Sequence, residues 1–237
     1  MNVQTSTRDP HNTRQPRLRP AEIVREYGPF AGAERVHGVT HDGHHVWAAT
    51  GATLVAFDPA TGEPTRTLDR ACDAGTAFDG KHLYQIAEAR IDKIDPATGK
   101  VLASIPAPGQ GGDSGLTWAE GSLWVGHYRD RKIHQIDPAT GAVQRTIESN
   151  RFVTGVTWVD GELWHGTWGA EESELRRLDP ATGSVLDRLE MPSGTGVSGL
   201  ESDGADLFYC GGGSSGTVRA VRRPKDARPG KSAAAKA

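Results

Sequence analysis

Ten side chains of this 237-residue chain have types suited to joint chemistry: His37, His127, His165, Asp73, Asp113, Glu88, Tyr128, Arg129, Arg151 and Trp168. An imidazole titrates near pH 6.5, and a neighbouring carboxylate orients it or raises its pKa. His127 and His165 are therefore candidates for general base and acid at neutral pH, with Glu88 and Asp113 as carboxylates able to carry a proton. His37, Asp73, Tyr128, Arg129, Arg151 and Trp168 are candidates for holding a substrate, Trp168 as a flat wall. Asp73, Asp113 and Glu88 could also offer oxygen ligands to a divalent cation, although their spacing matches no defined metal loop. Each group has a plainer role open to it. The histidines could bond a neighbouring backbone, and the aspartates could cap free N–H groups of the strand that follows.

What would bring such scattered residues together is a repeat. Asp58-Pro59-Ala60-Thr61-Gly62 recurs from Asp95, Asp137 and Asp179, at intervals of 37 to 42 residues. A unit of about 40 residues is the length of one four-stranded propeller blade. Each unit opens on a glycine (Gly38, Gly75, Gly115, Gly155, Gly199) and reaches a second one in Asp42-Gly43, Asp79-Gly80, Glu120-Gly121, Asp160-Gly161 and Asp203-Gly204. The second glycine signals a tight hairpin between first and second strands, because glycine accepts positive φ. An apolar-aromatic pair then starts the second strand, as in Leu123-Trp124, and a third alternates with period two into the aspartate, as in Ile133-His134-Gln135-Ile136-Asp137. The Asp-Pro-Ala-Thr-Gly segment reads as the next hairpin loop.

Four units continue into a fourth strand, but the fifth runs from Val218-Arg219-Ala220-Val221 into Arg222-Arg223-Pro224 and a polar tail. The missing strand is expected from the other end of the chain, where Ile23–Tyr27 repeats the outer-strand pattern. The expected fold is thus all-β, a five-bladed β-propeller over residues 21–223 closed by an N-terminal strand in the last blade. Residues 1–20 and 224–237 are expected to be disordered tails.

Residues common to all blades serve the scaffold, so the chemistry should lie where the blades differ. The column two before each opening glycine reads Val36, Asp73, Asp113, Val153, Val197, and the next reads His37, Ala74, Ser114, Thr154, Ser198. The loops between second and third strands differ further, with Glu88-Ala89-Arg90, His127-Tyr128-Arg129-Asp130 and the stretch from His165 to Trp168. In a propeller these loops surround one mouth of the central channel, where the site and a channel cation would lie. The run Gly211-Gly212-Gly213-Ser214-Ser215-Gly216 lacks both a following lysine and a helix, so it reads as a flexible connection rather than a phosphate loop.

Each tail carries +3, so a total of −3 leaves −9 on residues 21–223, which argues against a nucleic-acid groove on the folded body. No apolar run is long enough for a membrane span and residues 1–30 lack the apolar core of a signal peptide, so the expectation is a cytoplasmic monomer without a membrane partner. Two cysteines, Cys72 and Cys210, do not make a disulfide framework.

The sequence pattern Gly-x-Thr, Gly-x-Leu-Trp, Ile-Asp-Pro-Ala-Thr-Gly resembles the bacterial propeller class that includes streptogramin lyases, YncE-like proteins and glutaminyl cyclotransferases of propeller type. Five blades point to the cyclotransferase branch, whereas typical export of those enzymes points away from it. Neither family's catalytic motif can be placed on this sequence, so no residue role is carried over, and the reading as an enzyme acting on a small carbonyl-containing or peptide-like substrate rests on the cluster at the channel mouth. In a lyase, His127 or His165 would take a proton beside a carbonyl, with Arg129 or a cation on the enolate oxygen. In a cyclotransferase, Glu88 or Asp113 would carry a proton from attacking amine to leaving ammonia. A non-catalytic propeller that binds a small ligand, peptide or protein remains the alternative.

Overall fold

The computed structural model describes residues 16–225, and all its elements there are strands in five sheets. Blade 1 comprises Gly38–His41, Val46–Ala49, Gly51–Phe57 and Pro64–Cys72, and blade 2 comprises Thr76–Phe78, Leu83–Ala87, Arg90–Ile94 and Val101–Pro106. Blade 3 runs through Asp113–Ala119, Ser122–His127, Lys132–Ile136 and Val143–Glu148. Blade 4 runs through Phe152–Val159, Glu162–Gly169, Glu172–Leu178 and Val185–Glu190. Blade 5 takes Gly199–Ser202, Leu207–Gly211 and Val218–Arg222 from the end of the chain and Ile23–Tyr27 from its beginning. Ile23 pairs antiparallel with Val221 and Tyr27 with Val218, so the ring closes as the sequence pattern requires.

Arg17–Pro20 corrects the tail boundary. This segment, expected within a disordered tail, is a fifth strand on blade 4, parallel to Val185–Glu190, with Arg17 opposite Asp187 and Pro20 opposite Glu190. An ion pair between Arg19 and Asp187 fixes it. The composition of the tail hid this, since an edge strand whose side chains are mostly exposed needs no apolar face of its own. Residues 1–15 and 226–237 of the two tails lie outside the described residues.

The opening glycines explain how five blades meet on one axis. A Cβ built on Gly38 would lie 2.5 Å from Ala74 O, one on Gly75 would lie 2.5 Å from Gly115 C, and one on Gly115 would lie 2.6 Å from Val156 N. Gly155 would meet Gly199 C at 2.6 Å, and Gly199 would meet Gly38 Cα at 2.8 Å, which completes the circle. None of the five has positive φ. Here glycine is required by close backbone approach rather than by an unusual backbone angle. The hairpin glycines behave otherwise: Gly43 and Gly121 adopt φ of 93° and 76°.

The loop motif is equally legible. Asp58, Asp95, Asp137 and Asp179 each accept the N–H two residues on through Oδ1 at 2.7 to 2.8 Å, and their carbonyls accept from the loop glycine at the same distances. The loops also receive a staple from the preceding blade. Arg25 donates to the carbonyls of Pro59, Ala60 and Thr61, and Arg66 to those of Pro96 and Ala97. Aromatic stacks seal the seams between blades, Tyr84 against Trp118 at 5.5 Å and Trp124 against Trp158 at 5.4 Å, so both opening-strand tryptophans are packing residues.

Candidate functional site

Above the glycine circle lies a pocket of about 830 Å³ whose wall includes His37, Ala74, Ser114, Thr154 and Ser198, one residue from each blade entry. All five belong to the column immediately before the opening glycines. The pocket is therefore the channel mouth, floored where the backbones converge. Asp73 and Asp113 join from the preceding column, Tyr128 from the loop between second and third strands of blade 3, Trp168 from the end of the second strand of blade 4, and Arg35, Arg219 and Gly212–Ser215 from the seam of blades 5 and 1.

Five of the ten sequence candidates thus meet: His37, Asp73, Asp113, Tyr128 and Trp168. Asp113 is buried, and both its oxygens accept from Gly109 N–H at 3.0 Å. Burial raises its pKa, and the Gly109 bonds and the nearby His127 only partly oppose this. Asp73 accepts from Glu88 N–H at 3.0 and 3.3 Å. Burial lowers the pKa of His37, with Asp73 opposing and Arg35 reinforcing that shift, so its imidazole is biased toward the neutral form. Tyr128 is held by a face-to-face stack on Phe152, with ring centroids 4.7 Å apart.

The other five are placed elsewhere. His165 lies wholly buried inside blade 4, opposite Arg176 across the sheet. Burial, reinforced by Arg176, lowers its pKa to about 3, so it stays neutral and cannot act at the mouth. The expectation failed because the hairpin comes later than the residue types suggest: Ala170 and Glu171 take the positive φ, and the strand continues to Gly169. His127 ends its strand opposite Asp113 but does not line the pocket, and it packs on Gly112 with Nδ1 3.4 Å from Asp130. Glu88 points outward and pairs with Arg90 at 3.1 Å, and Arg129 is exposed beyond the pocket wall. Arg151 turns away to Gly169 O at 2.7 Å and Glu174 at 2.8 Å.

Among the described residues no three His, Cys, Asp or Glu side chains gather as metal ligands. Glu88 turns outward, so the three carboxylates that the sequence offers to a channel cation are not gathered at the mouth.

Sequence reasoning missed Arg35, Arg219 and Glu201. Glu201 replaces, in blade 5, the residue that is Thr40, Ala77, Thr117 or Thr157 in the other blades, a discrepancy visible in the aligned units. It points into the axis beyond the glycine circle and accepts from Thr40 Oγ1 at 3.2 Å, Ser202 N at 2.8 Å, and the hydroxyls of Thr157 and Thr117. Burial raises its pKa to about 7.

The fold and the site define a five-bladed β-propeller with one polar pocket at a channel mouth. No family model matches the chain, and no curated protein matches it in sequence. Among solved structures it is similar to the glutaminyl cyclase of Myxococcus xanthus, with TM-score 0.72 and 19% identity over 88% of this chain and 98% of that one. The propeller domain of Myceliophteria thermophila Cps50 (Swd1) gives TM-score 0.54 and 11% identity over 86% and 100%. The WD40 repeats of RRP9 give 0.54 and 9% over 85% and 100%. At these identities the likeness establishes the propeller fold.

Proposed function

We propose that the chain is an enzyme of the glutaminyl cyclase type, acting in the mouth pocket on a small carbonyl-containing or peptide-like substrate. Asp113 carries the reading, because it is a buried carboxylate on the pocket wall with a raised pKa, suited to holding and returning a proton. In the reaction the substrate's amine attacks its side-chain amide carbon, a C–N bond forms, and the bond to the departing nitrogen breaks. Asp113 takes the proton from the attacking amine and delivers it to the leaving ammonia. In this reading His37, biased toward its neutral form, and Tyr128 orient the amide, supported by their position on the same wall. Of the two carboxylates expected for this proton transfer, Glu88 is excluded by its exposed pairing with Arg90. The lyase alternative loses support for a similar reason, since it relied on His127 or His165, neither of which lines the pocket.

Ammonia release from glutaminyl dipeptides tests the proposal. Asp113→Asn is expected to lower kcat by about a hundredfold, the usual scale for a positioned proton carrier, with the melting temperature little changed. Turnover unaffected by the substitution would refute the role.

A ligand-binding propeller without turnover is the second reading. Its support is that both Asp113 oxygens already accept from Gly109 N–H, an arrangement that also suits a carboxylate ordering a loop. It predicts that Asp113→Asn reduces affinity for ligands on which the wild-type protein shows no turnover.

A further inference from the structure

The pocket is electrically divided. Arg35 stands at the seam of blades 5 and 1, where Val36 bridges to Gly213, while Asp73 and Asp113 stand at the entries to blades 2 and 3. Among the described residues no carboxylate pairs with Arg35, and no guanidinium or ammonium pairs with Asp73 or Asp113. The second pocket arginine differs, because Arg219 is neutralised by Glu26 at 2.6 Å. One cation and two carboxylates thus face the same volume without ion-pair partners among the described residues, the carboxylates accepting backbone N–H bonds alone. Tyr128 and Trp168 add aromatic surface to the same wall.

We propose that the pocket takes a zwitterion, a short peptide with both ends free, its ammonium toward Asp73 and Asp113 and its carboxylate toward Arg35. A guanidinium presents a planar fork that matches a carboxylate, and a pocket of about 830 Å³ has room for a dipeptide along the aromatic wall. The inference rests on reading this pocket as the substrate site, and it adds a requirement at the far end of the substrate. It favours free short peptides, since the terminal carboxylate of a protein is far from its N-terminus.

Calorimetric titration of the full chain with glutaminyl-glycine and alanyl-glycine, each also as the C-terminal amide and as the N-acetyl form, tests this. Blocking either end is expected to weaken binding about tenfold. Arg35→Ala should weaken the free acid by the same factor and leave the amide unchanged, which separates carboxylate recognition from a general effect on the pocket. Equal affinity for acid and amide would overturn the zwitterion inference whatever the ammonia-release assay shows. Binding by none of the probes would overturn it as well. Normal discrimination between the probes without ammonia release would instead sustain this inference and remove the catalytic reading.

Discussion

Gly115→Ala is expected to destabilise the protein by at least about 3 kcal/mol, because the new methyl group has nowhere to go. Its Cβ would lie 2.6 Å from Val156 N and 2.7 Å from Gly155 C, both backbone atoms of the neighbouring blade's innermost strand. A flexible side chain could rotate aside, but a strand paired in its own sheet moves only with the sheet. Relief therefore requires blades 3 and 4 to separate, which opens the seam where Trp124 stacks on Trp158. Gly121→Ala is the matched control. That glycine has φ of 76° at a hairpin tip with nothing near its missing side chain, so the same substitution costs only the left-handed backbone penalty of about 1 kcal/mol. Urea unfolding of the two variants should show the contrast. Equal losses would mean that the five inner strands are not sealed by backbone contact, and failure of Gly115→Ala to fold at all is the predicted effect at its limit.

These two glycines also show how far the sequence speaks. Both recur in every unit, so periodicity located them, and the hairpin role of the second followed from its Asp-Gly or Glu-Gly context. The role of the first could not be read in the same way, because close approach to the next blade is a property of the closed ring and not of any one unit. The splice at Ile23–Tyr27 was legible because blade 5 lacked an outer strand and the pattern reappeared upstream. Arg17–Pro20 was not, since it pairs along an edge without burying a face. For the site, columns fixed relative to the opening glycines give placement: His37, Asp73 and Asp113 line one pocket because strand geometry puts them there. Residues at or beside the hairpins between second and third strands divide, Tyr128 and Trp168 reaching the pocket while Glu88 and Arg129 do not. His165 was misplaced by a hairpin formed at Ala170-Glu171, with neither glycine nor asparagine to mark it.

Glu201 supplies the second large effect, in the dependence of stability on pH. In the folded chain its pKa is about 7 against an ordinary 4.5, because burial on the propeller axis disfavours the charge more than the surrounding hydroxyls and the Ser202 N–H favour it. Between pH 4.5 and 7 the folded protein therefore holds a proton that the unfolded chain has released. The stability tied to this group is fully present below pH 4.5, declines as pH rises toward 7, and is flat above it. The displacement corresponds to about 3 kcal/mol. Among the described residues no other titratable side chain is hydrogen-bonded to the carboxylate, whose partners are Thr40, Thr117 and Thr157 with the backbone of Ser202. Glu201→Gln keeps an acceptor for the threonine hydroxyls and never ionises, so it should match the wild type near pH 4 and exceed it at pH 8 by up to about 3 kcal/mol. All other titrating groups are common to both proteins and cancel in the difference. A gap between the two unfolding free energies that stays constant from pH 4 to 8 would show that Glu201 titrates as an ordinary carboxylate. The axis below the glycine circle would then be open to water, and the pocket above it would have no dry floor.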